Sequence, residues 1–212
     1  MLMAAHEALY PLILPEVPQC PYPTVDTAIN RAAQEFCRDS RVWETSQAVT
    51  LVDGQQTYPL VVPSDADVVS VRRVTFRHII IRPSHDATRL LERAESEGQP
   101  ALYSLSGEDL TVFPIPNSSV VGEDMAVICH FAPRFNAASI PDVLTRKWAE
   151  GVAAGALAIL KRMPSKPWTD YQGAGPAHQI FAREKAKARI EQEHGSVTGS
   201  LRVTPRKFGG WP

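Results

Sequence analysis

Six histidines, His6, His78, His85, His130, His178 and His194, are the first residues to test for chemistry, because imidazole is both a general base and a frequent metal ligand. No two of them stand four positions apart, and no His-Glu-x-x-His run occurs, so no helix face offers a paired ligand. The nucleophile turn Gly-x-Ser-x-Gly and the phosphate loop Gly-x-x-x-x-Gly-Lys are both absent. Glu92, Glu95 and Glu97 cluster beside Arg89 and Arg93. Glycoside hydrolysis needs two acids held roughly 5 to 10 Å apart across a cleft, whereas this spacing on a short helix gives a solvated, charged face. An acid from this group is nonetheless where a cell-wall hydrolase would find its catalyst. Cys20, Cys37 and Cys129 form no closely spaced ligand pair, and their odd number argues against a disulfide framework. They read as idle thiols in a reducing compartment. The sequence implies no catalytic residue, no metal site and no cofactor.

Charge narrows the partners. The formal net charge is −1 over 212 residues, so no global basic field marks a nucleic-acid binder. Arg72, Arg73, Arg77, Arg82 and Arg89 are locally dense with few acids between them, which leaves a sequence-tolerant contact to an anion such as duplex DNA as an alternative. Arg183, Lys185, Lys187 and Arg189 alternate with Glu184, Glu191 and Glu193, the pattern of an ion-paired helix face.

The elements that position these residues follow from periodicity. Val25, Ala28, Ile29, Ala32 and Phe36 recur at helical spacing behind Thr24, a good N-cap, and predict a helix ending near Arg38 to Ser40. Residues 1–23, interrupted by Pro11, Pro15, Pro18, Pro21 and Pro23, read as an extended lead-in with a turn or two of helix over 4–9, and lack the basic start of a signal peptide. From about 42 to 133 the period changes to two. Strands are predicted around Val49 and Leu51, at Tyr58 and Leu60, and over 68–76, 79–82, 101–105, 110–113 and 125–131, with Asp53-Gly54 as a hairpin turn and a short helix over 86–94.

The strongest helix signal lies in residues 140–168. Leu144, Trp148, Val152, Ala156, Ile159 and Met163 share a face, while Gly151, Ala153, Ala154, Gly155 and Ala158 make the middle small on nearly every side. Bounded by Pro141-Asp142 and Pro164, it predicts a single rod about 33 Å long. Glycine costs about 1 kcal/mol in a helix interior, so Gly151 and Gly155 demand a packing reason, and close approach of neighbouring backbones supplies one. Glu150 and Lys161 bracket only ten residues, too few for the roughly 20 of a membrane span. Residues 165–176 read as a loop, and Pro176 as the start of a last helix running to about Glu193 and buried through Ala177, Ile180, Phe181 and Ala188.

The expected fold is therefore α+β. A helical bundle of one N-terminal and two C-terminal helices (1–41 and 140–195) carries an inserted antiparallel β-sandwich or barrel-like domain (42–139) and an extended C-terminal arm (196–212). Trp148, Gly151, Gly155, Ala156 and Trp168 are the residues expected to pack the bundle or an oligomer. In the arm, Leu201, Val203, Phe208 and Trp211 are too few apolar anchors to offset the backbone entropy of ordering 17 residues, so another surface is expected to complete it. Arg202, Arg206 and Lys207 would meet acids there.

Several short pieces, in order, carry a resemblance. They are residues 25–38 followed by Trp43, Gly54 with Tyr58-Pro59-Leu60 and Pro63, Gly98-Gln99-Pro100 with Tyr103, Phe113-Pro114-Ile115-Pro116, Gly155-Ala156-Leu157-Ala158, and Met163-Pro164-Ser165-Lys166-Pro167-Trp168. Together, from about residue 20 to 208, they resemble the head-to-tail adaptor proteins of tailed bacteriophages, the group that includes the tubular tail protein A type of short-tailed phages. That resemblance implies a non-enzymatic virion protein at the head-tail junction, assembled in the host cytoplasm. It implies a ring, of twelve copies in the related adaptors, under the portal protein and above the next tail component, a nozzle or a tail-tube or stopper protein. DNA would pass through the ring without sequence-specific contact, and no membrane is involved. The hydrolase and the DNA binder stand as the alternatives.

Overall fold

Apolar residues three and four positions apart can all face one way only on a helix, and the first long helix obeys this. In the computed structural model, which describes residues 3–84 and 96–194, helix α2 spans Tyr22–Ser40 and buries Val25, Ala28, Ile29, Ala32, Ala33 and Phe36. Its start differs from the expectation: Thr24 is no cap, because Pro21 precedes the helix and proline in its first turn supplies the preset φ, with Arg41 closing it in a left-handed conformation (φ 58°). The stretch before it is no loose lead-in. Strand β1 (Met3–Ala5), a 3-10 turn (His6–Leu9), helix α1 (Tyr10–Ile13) and a second 3-10 turn (Leu14–Glu16) follow one another and bury Leu9, Ile13 and Val17 completely.

Nine strands lie among the described residues, β1 being the first. β2 is Glu44–Thr50, β3 Thr57–Pro59, β4 Ala66–Phe76, β5 Ile79–Pro83, β6 Leu102–Ser106, β7 Asp109–Phe113, β8 Asp124–Pro133 and β9 Ser139–Pro141. β1 and β9 form a small antiparallel pair, and the other seven make one sheet in the order β2-β8-β4-β5-β6-β7-β3. Met125, Val127, Cys129 and Phe131 of β8, at period two, point into the core. Arg77 and His78 both take left-handed φ values (47° and 66°) in the tight turn between β4 and β5. The sheet is not wholly antiparallel, since β5 and β6 run parallel. It curls until its end strands nearly meet, where the Val61 N–H just past β3 donates to the Gln47 side chain of β2 at 2.8 Å.

Asp53-Gly54 does make a turn, with Gly54 at φ 69°, but not a hairpin: β2 pairs with β8 and β3 with β7. The turn is a corner between distant strands, and the Tyr58 hydroxyl holds it by donating to the Gln55 carbonyl (2.8 Å) and accepting from the Val52 N–H (3.1 Å). The helix expected over 86–94 and the arm over 196–212 lie outside the described residues.

The expected single rod is two helices, α3 (Asp142–Arg146) and α4 (Ala149–Lys161). Lys147 and Trp148 interrupt it, Trp148 at φ −118°, ψ 22°, with its ring packed on Phe36 at 5.8 Å between centroids. α4 is buried on nearly every side by α2, by α1 and by α5 (Tyr171–His194). A Cβ on Gly155 would lie 2.7 Å from the Phe181 ring and 3.0 Å from the Ala32 Cβ, and one on Gly151 would lie 2.8 Å from the Glu184 Cβ. These contacts are the packing reason the two glycines required.

α5 begins five residues earlier than proline chemistry suggested, so Pro176 sits inside it. Asp170 starts the helix by accepting the Gly173 N–H at 2.9 Å. Buried Lys161, at the end of α4, reaches Glu16 at 2.7 Å and Asp170 at 3.5 Å, so one ammonium ties three segments. Ala177, Phe181 and Ala188 are buried as expected, while Ile180 is 39% exposed.

Replacing Gly155 tests the close approach. Gly155→Val is expected to lower unfolding free energy by about 2–3 kcal/mol in urea titration through overpacking. Gly155→Ala should lose less, because the alanine helix preference of about 1 kcal/mol offsets part of the clash. Wild-type stability in the valine variant would show that the helices are not packed this tightly.

Candidate functional site

Among the described residues, those the sequence singled out do not converge on one site. Among the described residues no three His, Cys, Asp or Glu side chains come together as a metal site could require, and no helix is long and apolar enough to cross a membrane. Cys20, Cys37 and Cys129 are buried free thiols, each with its pKa raised by that burial. Glu92 and Glu95 lie outside the described residues, and Glu97 makes only an isolated bridge to Ile115.

The arginines disperse over the sheet. Arg72 pairs with Glu44 at 2.6 Å and Arg77 with Glu123, so two of the positive charges already have acid partners. Arg73 and Arg82 are exposed, and Arg89 lies outside the described residues. Among the described residues the structure offers a pair of charged joints and two open surfaces.

The first joint is built on Glu44, the opening residue of β2. Its Oε2 accepts from Arg72 Nη1 of β4 (2.6 Å) and Gln192 Nε2 of α5 (2.9 Å), and lies 3.2 Å from His130 Nε2 of β8. A carboxylate only accepts, so Nε2 carries the imidazole proton, and Nδ1 is left to accept from the Ser70 hydroxyl at 3.2 Å. Burial, the largest single effect, would raise the Glu44 pKa, but the hydrogen bond and charge of Arg72 with the hydrogen bonds of Gln192 and His130 together hold the carboxyl below its ordinary value. Burial lowers the His130 pKa against the pull of Glu44, with Arg41 and Arg72 adding to the lowering.

A second buried histidine, His6, is likewise lowered by burial, Asp26 opposing at 3.8 Å. Tyr10 donates to the same Asp26 at 2.6 Å, and burial together with that bond pushes its hydroxyl up to about 12.

Trp148 is buried at the break before α4, with the Lys147 and Lys187 ammonium groups over its ring at 5.5 and 5.7 Å. Gly151, Gly155 and Ala156 are buried inside the chain, against α2 and α5 around the glycines, so this small-residue face is covered by the subunit itself. Trp168 lies in the loop before α5, half-buried against the core. Leu201, Arg202, Val203, Arg206, Lys207, Phe208 and Trp211 all lie outside the described residues.

Of the two surfaces, an apolar groove of about 460 Å³ runs between α1, α4 and α5 along Leu12, Ala153, Leu157 and Ile180, edged by Glu16 and Glu150. The other is the outer side of α2, where Arg31 and Arg38 flank the exposed ring of Phe135. Sequence reasoning missed both. Phe135 stood in no periodic run, and the groove joins residues from three separate helices.

The joints set a pH dependence. His6 and His130 have folded pKa values below their ordinary 6.5, so below that range the unfolded chain binds more protons than the folded one. Their stabilisation is complete above about pH 6.5 and shrinks as pH falls. Glu44, depressed below its ordinary 4.5, adds stability above that value that is lost on further acidification. The urea midpoint is therefore expected to be lower at about pH 5.5 than at about pH 7.5. His130→Gln, which still bridges Ser70 and Glu44 but does not titrate, should shrink the difference. An undiminished difference would take His130 out of the account.

A family model described as SU10 adaptor protein matches residues 10–204, which takes in α1 to α5 and the seven-stranded sheet. No curated protein matches the chain. With the match covering most of its length, the chain belongs to the SU10 adaptor protein family, a family of phage structural adaptors.

Proposed function

We propose that this protein is the head-to-tail adaptor of a tailed phage, a ring of subunits that joins the portal to the tail and leaves a channel for DNA. The observation that carries this reading is the length of the family match, residues 10–204, which reaches past α5 into the C-terminal segment. Charged joints that tie distant segments, with converging acids such as Glu16 and Asp170 already held by Lys161, and apolar packing support a structural part.

On this reading the chain divides by task. The helical part (1–41 and 140–195) and the sheet (42–139) present separate faces to the portal and to the next tail component, a nozzle or a tail-tube or stopper protein. The segment 196–212 is an arm, docking through Leu201, Val203, Phe208 and Trp211, with Arg202, Arg206 and Lys207 meeting acids on the portal or on a neighbouring subunit. Twelve copies, as in related adaptors, would let modest contacts per arm sum to firm attachment. We take the tubular tail protein A type of short-tailed phages as its counterpart in organisation. DNA passes without sequence-specific contact, assembly takes place in the host cytoplasm, and Trp148, Gly151, Gly155, Ala156 and Trp168 act by holding each subunit rigid for the ring.

Deleting residues 196–212 is expected to leave the circular dichroism spectrum and the urea midpoint unchanged while weakening co-sedimentation with the portal by tenfold or more, about 1.4 kcal/mol. Unchanged docking would remove the arm's role. Absence of any complex with the portal, seen by negative-stain imaging of the full-length chain, would overturn the adaptor reading itself.

A further inference from the structure

Phe135 is 66% exposed, yet the backbone at Arg134-Phe135 is tied to three other segments. Asn30, 3% exposed on α2, donates from Nδ2 to the Arg134 carbonyl (2.8 Å) and the Phe135 carbonyl (2.5 Å). The Arg134 N–H donates to the Asp65 carbonyl at 2.8 Å, and its guanidinium reaches the Ala66 carbonyl (2.9 Å), Asp67 (3.0 Å) and Glu108 (3.1 Å). A large apolar side chain on a backbone fixed in advance loses little entropy on docking, which is what an interface anchor requires.

Charge marks the same place. Arg31 and Arg38 beside Phe135 form no ion pair among the described residues, while Glu35 and Asp39 on that helix are both taken by Lys185 at 2.6 Å. The anchor is therefore apolar at its tip and positive around it.

The groove between α1, α4 and α5 is its complement. Leu12 (42% exposed) and Ile180 (39% exposed) flank a floor that includes Leu157, and the space exceeds that of one aromatic ring. On its edge Lys161 is paired with Glu16, and Arg183 with Glu184, which leaves Glu150 as the charge without an ion pair. Glu150, Ala153, Leu157 and Lys161 share one face of α4. Ile159, which lines the Phe135 side, lies nine positions beyond Glu150, and at about 100° per residue that is half a turn away. Anchor and groove thus lie on opposite sides of one central helix.

From this we infer that Phe135 of one copy enters the groove of a second copy of this chain, with Arg31 and Arg38 facing Glu150. A contact between two different patches on opposite sides propagates from copy to copy and closes into a ring where the rotation allows. The inference rests on the proposed ring and assigns its subunit interface.

Analytical ultracentrifugation of wild type, Phe135→Asp and Ile180→Asp, alone and with the portal, tests it. Wild type assembles, and each variant, folded by circular dichroism, self-associates about thirtyfold more weakly or worse. Mixed in equal amounts, the variants form a dimer and nothing larger, because the intact groove of one accepts the intact Phe135 of the other and both remaining patches are dead. Arg38→Glu should weaken assembly, and Glu150→Arg in the same chain should restore it. Wild-type rings with both variants assembling normally would overturn this interface and leave the ring intact. So would a mixture that gives no dimer, or one that gives larger species. A wild type that stays monomeric both alone and with the portal would overturn the ring reading and this inference with it.

Discussion

Everything else in the molecule accommodates one helix that cannot be held at a distance. α4 is buried on nearly all sides, and its neighbours come so close that Gly151 and Gly155 have no room for a Cβ. Small side chains bring α2 and α5 onto it, and dispersion contacts at that separation replace the area that larger residues would have buried. The ring of Phe181 over Gly155 and that of Phe36 near Gly151 fill what the glycines leave open. Because α2 also packs on β8, the rigidity of the helical layer passes directly to the sheet.

Charges in this fold are used for fastening. Lys161 ties Glu16, Asp170 and the end of α4, Arg134 spans Ala66, Asp67 and Glu108, and Glu44 gathers side chains from β4, β8 and α5. Each draws together segments far apart in sequence, as a part that must keep its shape in an assembly requires. For a phage structural adaptor, firmly held surfaces suit better than a mobile cleft would.

Much of this was legible in the sequence where the signal was local. The face of α2 formed by Val25, Ala28, Ile29, Ala32 and Phe36 and the alternation of β8 both appear as their periods demand. Expectations failed where tertiary partners decide. Nothing in Lys147-Trp148 breaks a helix by itself, but Trp148 must meet Phe36, and the chain bends to let it. Gly54 turns as expected, yet the strands on either side of it find β8 and β7, pairings that no two-residue motif encodes. Pro176 marked a helix start that Asp170 in fact supplies, because the capping bond to the Gly173 N–H and the tie to Lys161 act together. Phe135 escaped notice for the same reason, since only the fold brings Asn30 beneath it.

The sharing of one Glu44 oxygen reaches further than the joint it makes. Gln192 is two residues from the end of α5, and its amide is bound to an oxygen that also holds Arg72 and meets His130 on two inner strands of the sheet. Traction on the chain beyond His194 is thus anchored at the root and spread sideways across strands instead of unzipping the last helix turn by turn. A subunit so rooted carries a load on the end of its last helix into the sheet through Glu44.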